Sequence, residues 1–384
     1  MVTDLDYFFT DEHKMFRETA NKFVEKECPI EYARECDQKR KYPYEFYGKM
    51  VKEGLMGLII PPEYGGMGAD DIFQAILCEA LSKYAYDIGA GYTLITWGSK
   101  NIMRYGTAEQ KSYYLPKVVK GEKRFSLSLT EPNAGSDAAA LTTSAVLQGD
   151  HFVVNGQKVF STAADSKDNT IVMAVRTDKS APKHKGISLL LVDNTTKGVT
   201  TRRLDTLARR VLGTNEVFLE DARVPRENLL GNLNEGWGYL TDHLAMERAE
   251  IAAHYVGNAQ TVVDTALRYA KERNQFGRPI GQFQVIKHML ADAQMEVDAA
   301  RLMTYRVAWL VNKGQRCIKE AAMAKLYTSE TLWKVSVMVM QILGGYAQMP
   351  EYDVERYFRD AKQSLVGGGT SQIQRGIIAR HMGL

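Results

Sequence analysis

Several features are scarce in this sequence, and each scarcity removes a class of protein. Cysteine is one: Cys28, Cys36, Cys78 and Cys317 are scattered without Cys-x-x-Cys spacing. That argues against a zinc site or a disulfide framework and fits a reducing compartment. The seven histidines show no His-x-x-x-His or His-Glu-x-x-His spacing, so no metal site is expected. No apolar run reaches the roughly 18 residues that a membrane helix needs. The opening MVTDLDYFFTDEHKMF has neither a basic leader nor a long apolar stretch, so a cytoplasmic protein without membrane insertion is expected. Charge of one sign is also lacking: 49 Lys and Arg against 46 Asp and Glu leave a formal net charge of +3. Nucleic acid is therefore not an expected partner. No apparent strand leads into a Gly-x-Gly-x-x-Gly or P-loop pattern, which leaves a Rossmann or P-loop reading without an anchor.

What is present is enough chain for several parts. The 384 residues are 45% apolar and 25% charged, and single cores stop growing at roughly 250 to 300 residues. The hydrophobic period divides the chain into three. Over 1–122 it is helical: Thr10-Asp-Glu opens a run with Phe16, Ala20, Phe23 and Val24 at spacings of three and four. Over 123–233 it changes to two, in short runs such as FSLSL, TIVMAV and GISLLLVD. Asn155-Gly156 there predicts a tight hairpin, because both residues tolerate positive φ. Over 234–384 helical spacing returns in long elements. The expected fold class is α+β multidomain: an N-terminal helical domain, a middle antiparallel β domain and a C-terminal four-helix bundle.

One residue breaks its pattern. Leu240, Leu244, Glu247, Ile251, Tyr255 and Val262 recur at helical spacing, which puts a carboxylate inside an apolar stripe. It is a buried ion pair with a neighbour such as Arg248, a glutamate at the stripe's margin reaching solvent, or a general base whose pKa is raised in a dry cleft. LTEPNAGSD (129–137) reads as a plain loop or as an exposed turn whose Thr130 and Ser136 can meet a flat polar ligand. ERNQFGRPIGQFQ (272–284) reads as a helix–loop–helix corner. In QILGG (341–345) glycines stop a helix where backbone could also approach a cofactor. SLVGGGTSQIQRG (364–376) gives up three side chains in a row before a capping threonine.

Together LTEPNAGSD, NGQKVFST, ERNQFGRPIGQFQ, QILGGYA, RDAK and GGGTSQIQR resemble, in order along nearly the whole chain, the signatures of the acyl-CoA dehydrogenase family of flavoproteins. The resemblance implies FAD between the β and C-terminal helical domains and a homotetramer in which neighbouring subunits share the cofactor. By position, Leu127, Thr130 and Ser136 would line the flavin and thioester region, and Phe160 and Thr162 would flank the isoalloxazine ring. Arg273, Phe276, Gln284, Gln341, Gly344 and Gly345 match residues that hold the FAD pyrophosphate and adenosine. Thr370 and Gln372 match cofactor contacts at the start of the last helix.

The motif also departs from the family. Many relatives carry the catalytic glutamate at the position of Gly368. In another branch, which includes isovaleryl-CoA and long-chain enzymes, the base comes from the long helix, and the matching residue is Glu247. The implied reaction is α-proton removal by Glu247 with β-hydride transfer to flavin N5, giving a trans-2-enoyl-CoA. The backbone N–H of Gly368 would stabilise the enolate-like oxygen. Arg248 is a candidate substrate contact, and Gly367 replaces an aromatic residue common beside the base. Electron-transferring flavoprotein is the implied redox partner. The Met-Glu-Arg with a glycine-rich C-terminal motif also resembles crotonobetainyl-CoA reductase-like members, so an enoyl-CoA reductase is the alternative. A catalytically silent FAD- and acyl-CoA-binding subunit is another.

Overall fold

The computed structural model describes residues 5, 7–242 and 244–384, without the side chains of Leu244 and Ala245. The first helices are α1 (Asp11–Glu27), α2 (Ile30–Gln38), α3 (Tyr44–Lys52), α4 (Asp71–Leu81), α5 (Tyr86–Tyr105) and α6 (Ala108–Val119). Their starts follow side-chain chemistry. Thr10 and His13 form a reciprocal capping box on α1, and the Asp70 carboxylate accepts from the N–H groups of Ile72 and Phe73 at the head of α4.

The strands are β1 (Arg124–Ser128), β2 (Ser144–Gln148), β3 (His151–Thr162), β4 (Asn169–Arg176), β5 (Ile187–Asp193), β6 (Val199–Arg203), β7 (Thr214–Pro225) and β8 (Leu229–Leu230). Then come α7 (Gly236–Asp242), α8 (Leu244–Glu272), the two-residue strands β9 (Asn274–Gln275) and β10 (Arg278–Pro279), α9 (Gln284–Asn312), α10 (Ile318–Leu343), α11 (Val354–Ser364) and α12 (Ser371–His381). The order helices, sheet, helices is the one expected. By contact the chain forms two compact units, one of Met1–Gln38, Asp70–Ala90 and Ala245–Leu384, the other of Lys39–Ala69 and Gly91–Leu244.

The second unit is built on a sheet of order β6-β7-β3-β2-β4-β5-β8, with β1 pairing alongside β4. Antiparallel pairs dominate, but β1 runs parallel to β4, so the sheet is mixed. Phe152, Ile171, Met173, Leu190 and Val217 sit in its core. The hairpin expected at Asn155-Gly156 is not there. Both residues lie inside β3, and the tight turn is Gly149-Asp150, between the paired Gln148 and His151. Asn155 instead exchanges hydrogen bonds with Asp221 on β7. Gly156, at φ +147°, marks a register shift where a β-carbon would come 2.7 Å from the Thr143 backbone. The glycine serves a bulge and a close approach, which give the same local signal as a turn.

In the first unit, small residues on α8 and α10 (Ala249, Ala252, Ala321, Ala324) pack with Val307 of α9 and Cys317. Side chains this small let helices approach closely. Buried ion pairs complete it: Arg301 to Glu79 at 3.0 Å, and Arg359 to Asp37 at 2.6 Å. All four cysteines are buried.

Candidate active site

The stripe on α8 is a buried face with a carboxylate in it. Ile251 and Tyr255 are buried, and Glu247 is half-buried. Leu244 of that stripe has its side chain outside the described residues. Loss of hydration pushes the Glu247 carboxyl up to about 7; the Arg248 charge pulls it down and Glu250 pushes it further up. Among the described residues the carboxylate has no hydrogen-bond donor. Arg248 is only 5% exposed, and its Nε is buried without a hydrogen-bond partner. Two of the alternatives set by the pattern therefore separate: among the described residues this is not an ion pair sealed by hydrogen bonds, since the carboxylate has no protein donor and the Arg248 Nε no protein acceptor.

The glycine turn sits over the same stripe. Gly368 and Gly369 adopt φ +67° and +89°, successive left-handed residues that side chains disfavour. A β-carbon at Gly368 would lie 3.0 Å from Ile251 Cδ1, one turn along α8 from Glu247. Gly367 has a different reason: a β-carbon there would run into the amide of Gln363 at 2.4 Å. Thr370 caps α12, its hydroxyl accepting from the N–H of Ile373 at 3.2 Å. Among the described residues the N–H groups of Gly368, Gly369 and Thr370 donate to nothing. Three consecutive free donors at a helix start suit an anion or a polarised carbonyl. Gln372 is exposed on the first turn of that helix.

Further along the helical unit, Arg273, Gly344 and Gly345 line one cavity of ≈ 530 Å³ with Tyr269 and Tyr346. The Arg273 guanidinium lies 5.3 Å from the centre of the Tyr346 ring. Gly344, at φ +60°, ends α10, and a β-carbon on either glycine would meet nothing within 4 Å. An aromatic face, a cation and bare backbone suit an adenosine diphosphate moiety. Phe276, Gln284 and Gln341 are exposed and outside that lining; Phe276 is 93% exposed at the tip of the β9–β10 hairpin.

In the sheet unit the LTEPNAGSD loop is pinned by a pair not singled out from the sequence. Lys158, fully buried on β3, donates to Glu131 at 2.8 Å and to the Leu129 carbonyl at 3.2 Å. Glu131 also accepts from the N–H groups of Thr142 and Thr143. Burial opposes its charge, but Lys158 and these donors hold its carboxyl well below the usual range, at about 2. The Thr130 carbonyl accepts from the Val159 N–H, which ties the loop to β3. Immediately beyond, a register shift between Lys158 and Ser161 puts Phe160 at φ +59° and leaves its ring 62% exposed. A large aromatic held in a disfavoured conformation and turned to solvent marks a place for a stacking partner. Thr162 is half-buried near the strand's end and receives Arg209 Nη2 at 3.5 Å. Leu127 is half-buried on β1, while Ser136 is exposed on the loop.

Sequence models of the acyl-CoA dehydrogenase N-terminal, middle and C-terminal domains match residues 10–122, 126–222 and 234–383. The chain is 42% identical over 380 residues to the probable acyl-CoA dehydrogenase YngJ of Bacillus subtilis, covering 98% of this chain and 100% of that one. It is 36% identical to the caffeyl-CoA reductase-Etf complex subunit CarC of Acetobacterium woodii, covering 97% and 98%. Among solved structures it is similar to an acyl-CoA dehydrogenase from Geobacillus kaustophilus, with a TM-score of 0.93, 36% identity and coverage of 98% and 99%.

Proposed function

The chain belongs to the acyl-CoA dehydrogenase family, oxidoreductases acting on acyl-CoA, and from that premise we propose that Glu247 moves the α-proton of an acyl-CoA thioester interconverted with its trans-2-enoyl form. FAD, when bound, supplies the acceptor or donor of the β-hydride. Each unit by itself has features that fit that cofactor: the exposed Phe160 beside Thr162 and Thr130 in one, the Arg273–Gly344–Gly345 cavity in the other. Leu127, Ser136, Phe276, Gln284, Gln341, Thr370 and Gln372 join them by position in the family motifs, in part across a homotetramer. The domain limits 122/123 and 233/234 belong to the same reading.

The carrying observation is the state of Glu247. An α-proton next to a thioester is a weak acid, so its base must be poorly solvated and its enolate oxygen must meet fixed donors. Glu247 meets the first need, with its carboxyl raised to about 7 and no donor among the described residues. The free N–H of Gly368 over the same α8 face meets the second. Arg248 supplies an unsatisfied cation for the substrate side. The test is Glu247→Gln: FAD should be retained while exchange of the α-proton with solvent deuterium is lost. Wild-type exchange in that variant would remove Glu247 from the mechanism.

The reverse direction is a second reading. The relative CarC carries the name of a caffeyl-CoA reductase-Etf complex subunit, and a carboxyl near pH 7 is available as acid or base at neutral pH. Electron-transferring flavoprotein would be the partner in either direction, and assays with oxidised and reduced flavoprotein decide which one runs.

A further inference from the structure

A loop that offers N–H groups to a ligand must dispose of its carbonyls, since buried backbone acceptors are costly to leave unpaired. The glycine turn disposes of them inward. Gln374, fully buried on α12, donates to the Gly368 carbonyl at 3.0 Å and to the Gly369 carbonyl at 3.2 Å. Lys325, on α10 and 0% exposed, donates to the Gly369 carbonyl at 2.8 Å and to the Ser364 carbonyl at the end of α11 at 3.0 Å. Tyr255, from the Glu247 stripe, reaches the same Ser364 carbonyl at 3.4 Å. Lys325 Cε would lie 3.8 Å from a β-carbon at Gly368.

A neutral amide, as Gln374 shows, is enough to tie such a turn, so a buried ammonium needs a further reason. Its charge is opposed where it sits: burial and the Arg248 charge push it down to about 8, outweighing the upward push of the Glu330 carboxylate. A lysine whose hydrogen bonds among the described residues go to carbonyl oxygens alone, with the Arg248 charge outweighing that of Glu330, is a standing cost unless more negative charge arrives. We propose that Lys325 is a positioning residue for the thioester: it gathers the carbonyls of Ser364 and Gly369 beneath the turn, fixing the outward set of the Gly368 N–H and adding positive potential under the oxygen it polarises. This rests on the reading of Gly368 as the thioester donor. Lys325 itself acts through the turn and does not touch the substrate.

The test uses the FAD-loaded oxidised protein and cinnamoyl-CoA labelled with carbon-13 at the thioester carbonyl, followed by difference infrared spectroscopy. In the wild type the carbonyl stretch should fall on binding, the sign of polarisation. Lys325→Met should keep its FAD content, retain no more than about half of that fall, and bind the probe about tenfold more weakly. Lys325→Arg, which keeps donors and charge, should regain most of it. Should Lys325→Met fail to fold, Lys325→Gln carries the test with the same expectation. An undiminished fall in a folded Met or Gln variant overturns the role of Lys325 alone. No fall in the wild type overturns the thioester reading of Gly368, and this assignment with it.

Discussion

Gly368 points at Ile251: a β-carbon on the glycine would lie 3.0 Å from Ile251 Cδ1, one helical turn beyond Glu247. A side chain at 368 would therefore meet the face of α8 that carries Glu247 one turn away, although 121 positions separate the two in the sequence.

That convergence makes a base exchange testable. Moving the carboxylate, as Glu247→Gly with Gly368→Glu, should not restore activity by itself. The new side chain meets Ile251 at once and sits at φ +67°, a conformation costing roughly 1 to 2 kcal/mol for a residue with a β-carbon. Adding Ile251→Ala makes room, and this triple variant should recover α-proton exchange above the double. The double exchanging as fast as wild type would show that the turn adapts freely.

Glu247 links activity and stability through pH. Its carboxyl is raised from 4.5 to about 7, so the folded state holds that proton more tightly than the unfolded chain. The associated stability is fully present below about pH 4.5 and is lost as pH rises through about 7. Glu247→Gln, neutral throughout, should melt above wild type at pH 8, with the gap closing towards pH 4.5. Dehydrogenation should rise, and enoyl reduction fall, as pH passes through about 7. A constant melting gap across that range would contradict a Glu247 carboxyl raised to about 7 in the folded chain.

The ion pair under the LTEPNAGSD loop should be asymmetric under mutation. Lys158→Met leaves the Glu131 carboxylate buried without its cation, which costs about 3 to 5 kcal/mol. Replacing both residues by apolar ones removes the stranded charge and should recover part of the loss. Urea denaturation of the single and double variants measures this. A double variant less stable than Lys158→Met would show that Glu131 serves the loop chiefly through Thr142 and Thr143.

Phe160 offers the reverse case, a large residue whose loss should barely affect the fold. Its ring is 62% exposed, so Phe160→Ala removes little buried surface. Loss of a stacking face should weaken FAD binding by roughly tenfold, equivalent to about 1.4 kcal/mol. Cofactor titration of the apoprotein checks it, with the urea midpoint as control.

These sites were legible in the sequence to different depths. Glu247 could be found because a helical stripe has a period and a carboxylate violates it; the violation is local. The Thr10 cap and the Gly344 helix stop are local too. Asn155-Gly156 misled because a bulge and a turn both ask glycine for positive φ, and only the partner strand distinguishes them. Lys158 and Glu131 lie 27 positions apart, and no short-range pattern marks that they meet. Lys325 has a local trace: Ala321, Ala322, Ala324, Thr328 and Ser329 around it are all small and buried, an odd setting for a lysine that reaches solvent. Its carbonyl partners, 39 and 44 positions on, are visible only in the fold.

Arg248 should set the working range of the base. It is buried beside Glu247, its Nε has no hydrogen-bond partner, and its charge is the influence that pulls the Glu247 carboxyl down against burial. Removing it as Arg248→Met leaves desolvation and Glu250 unopposed, so the carboxyl should hold its proton to higher pH. The rising limb of the dehydrogenation profile, and of α-proton exchange, should therefore move to higher pH, while Arg248→Lys should hold it nearer wild type. Weaker acyl-CoA binding with an unmoved profile would mean that Arg248 serves the substrate alone and that its charge does not reach the carboxyl in the bound state.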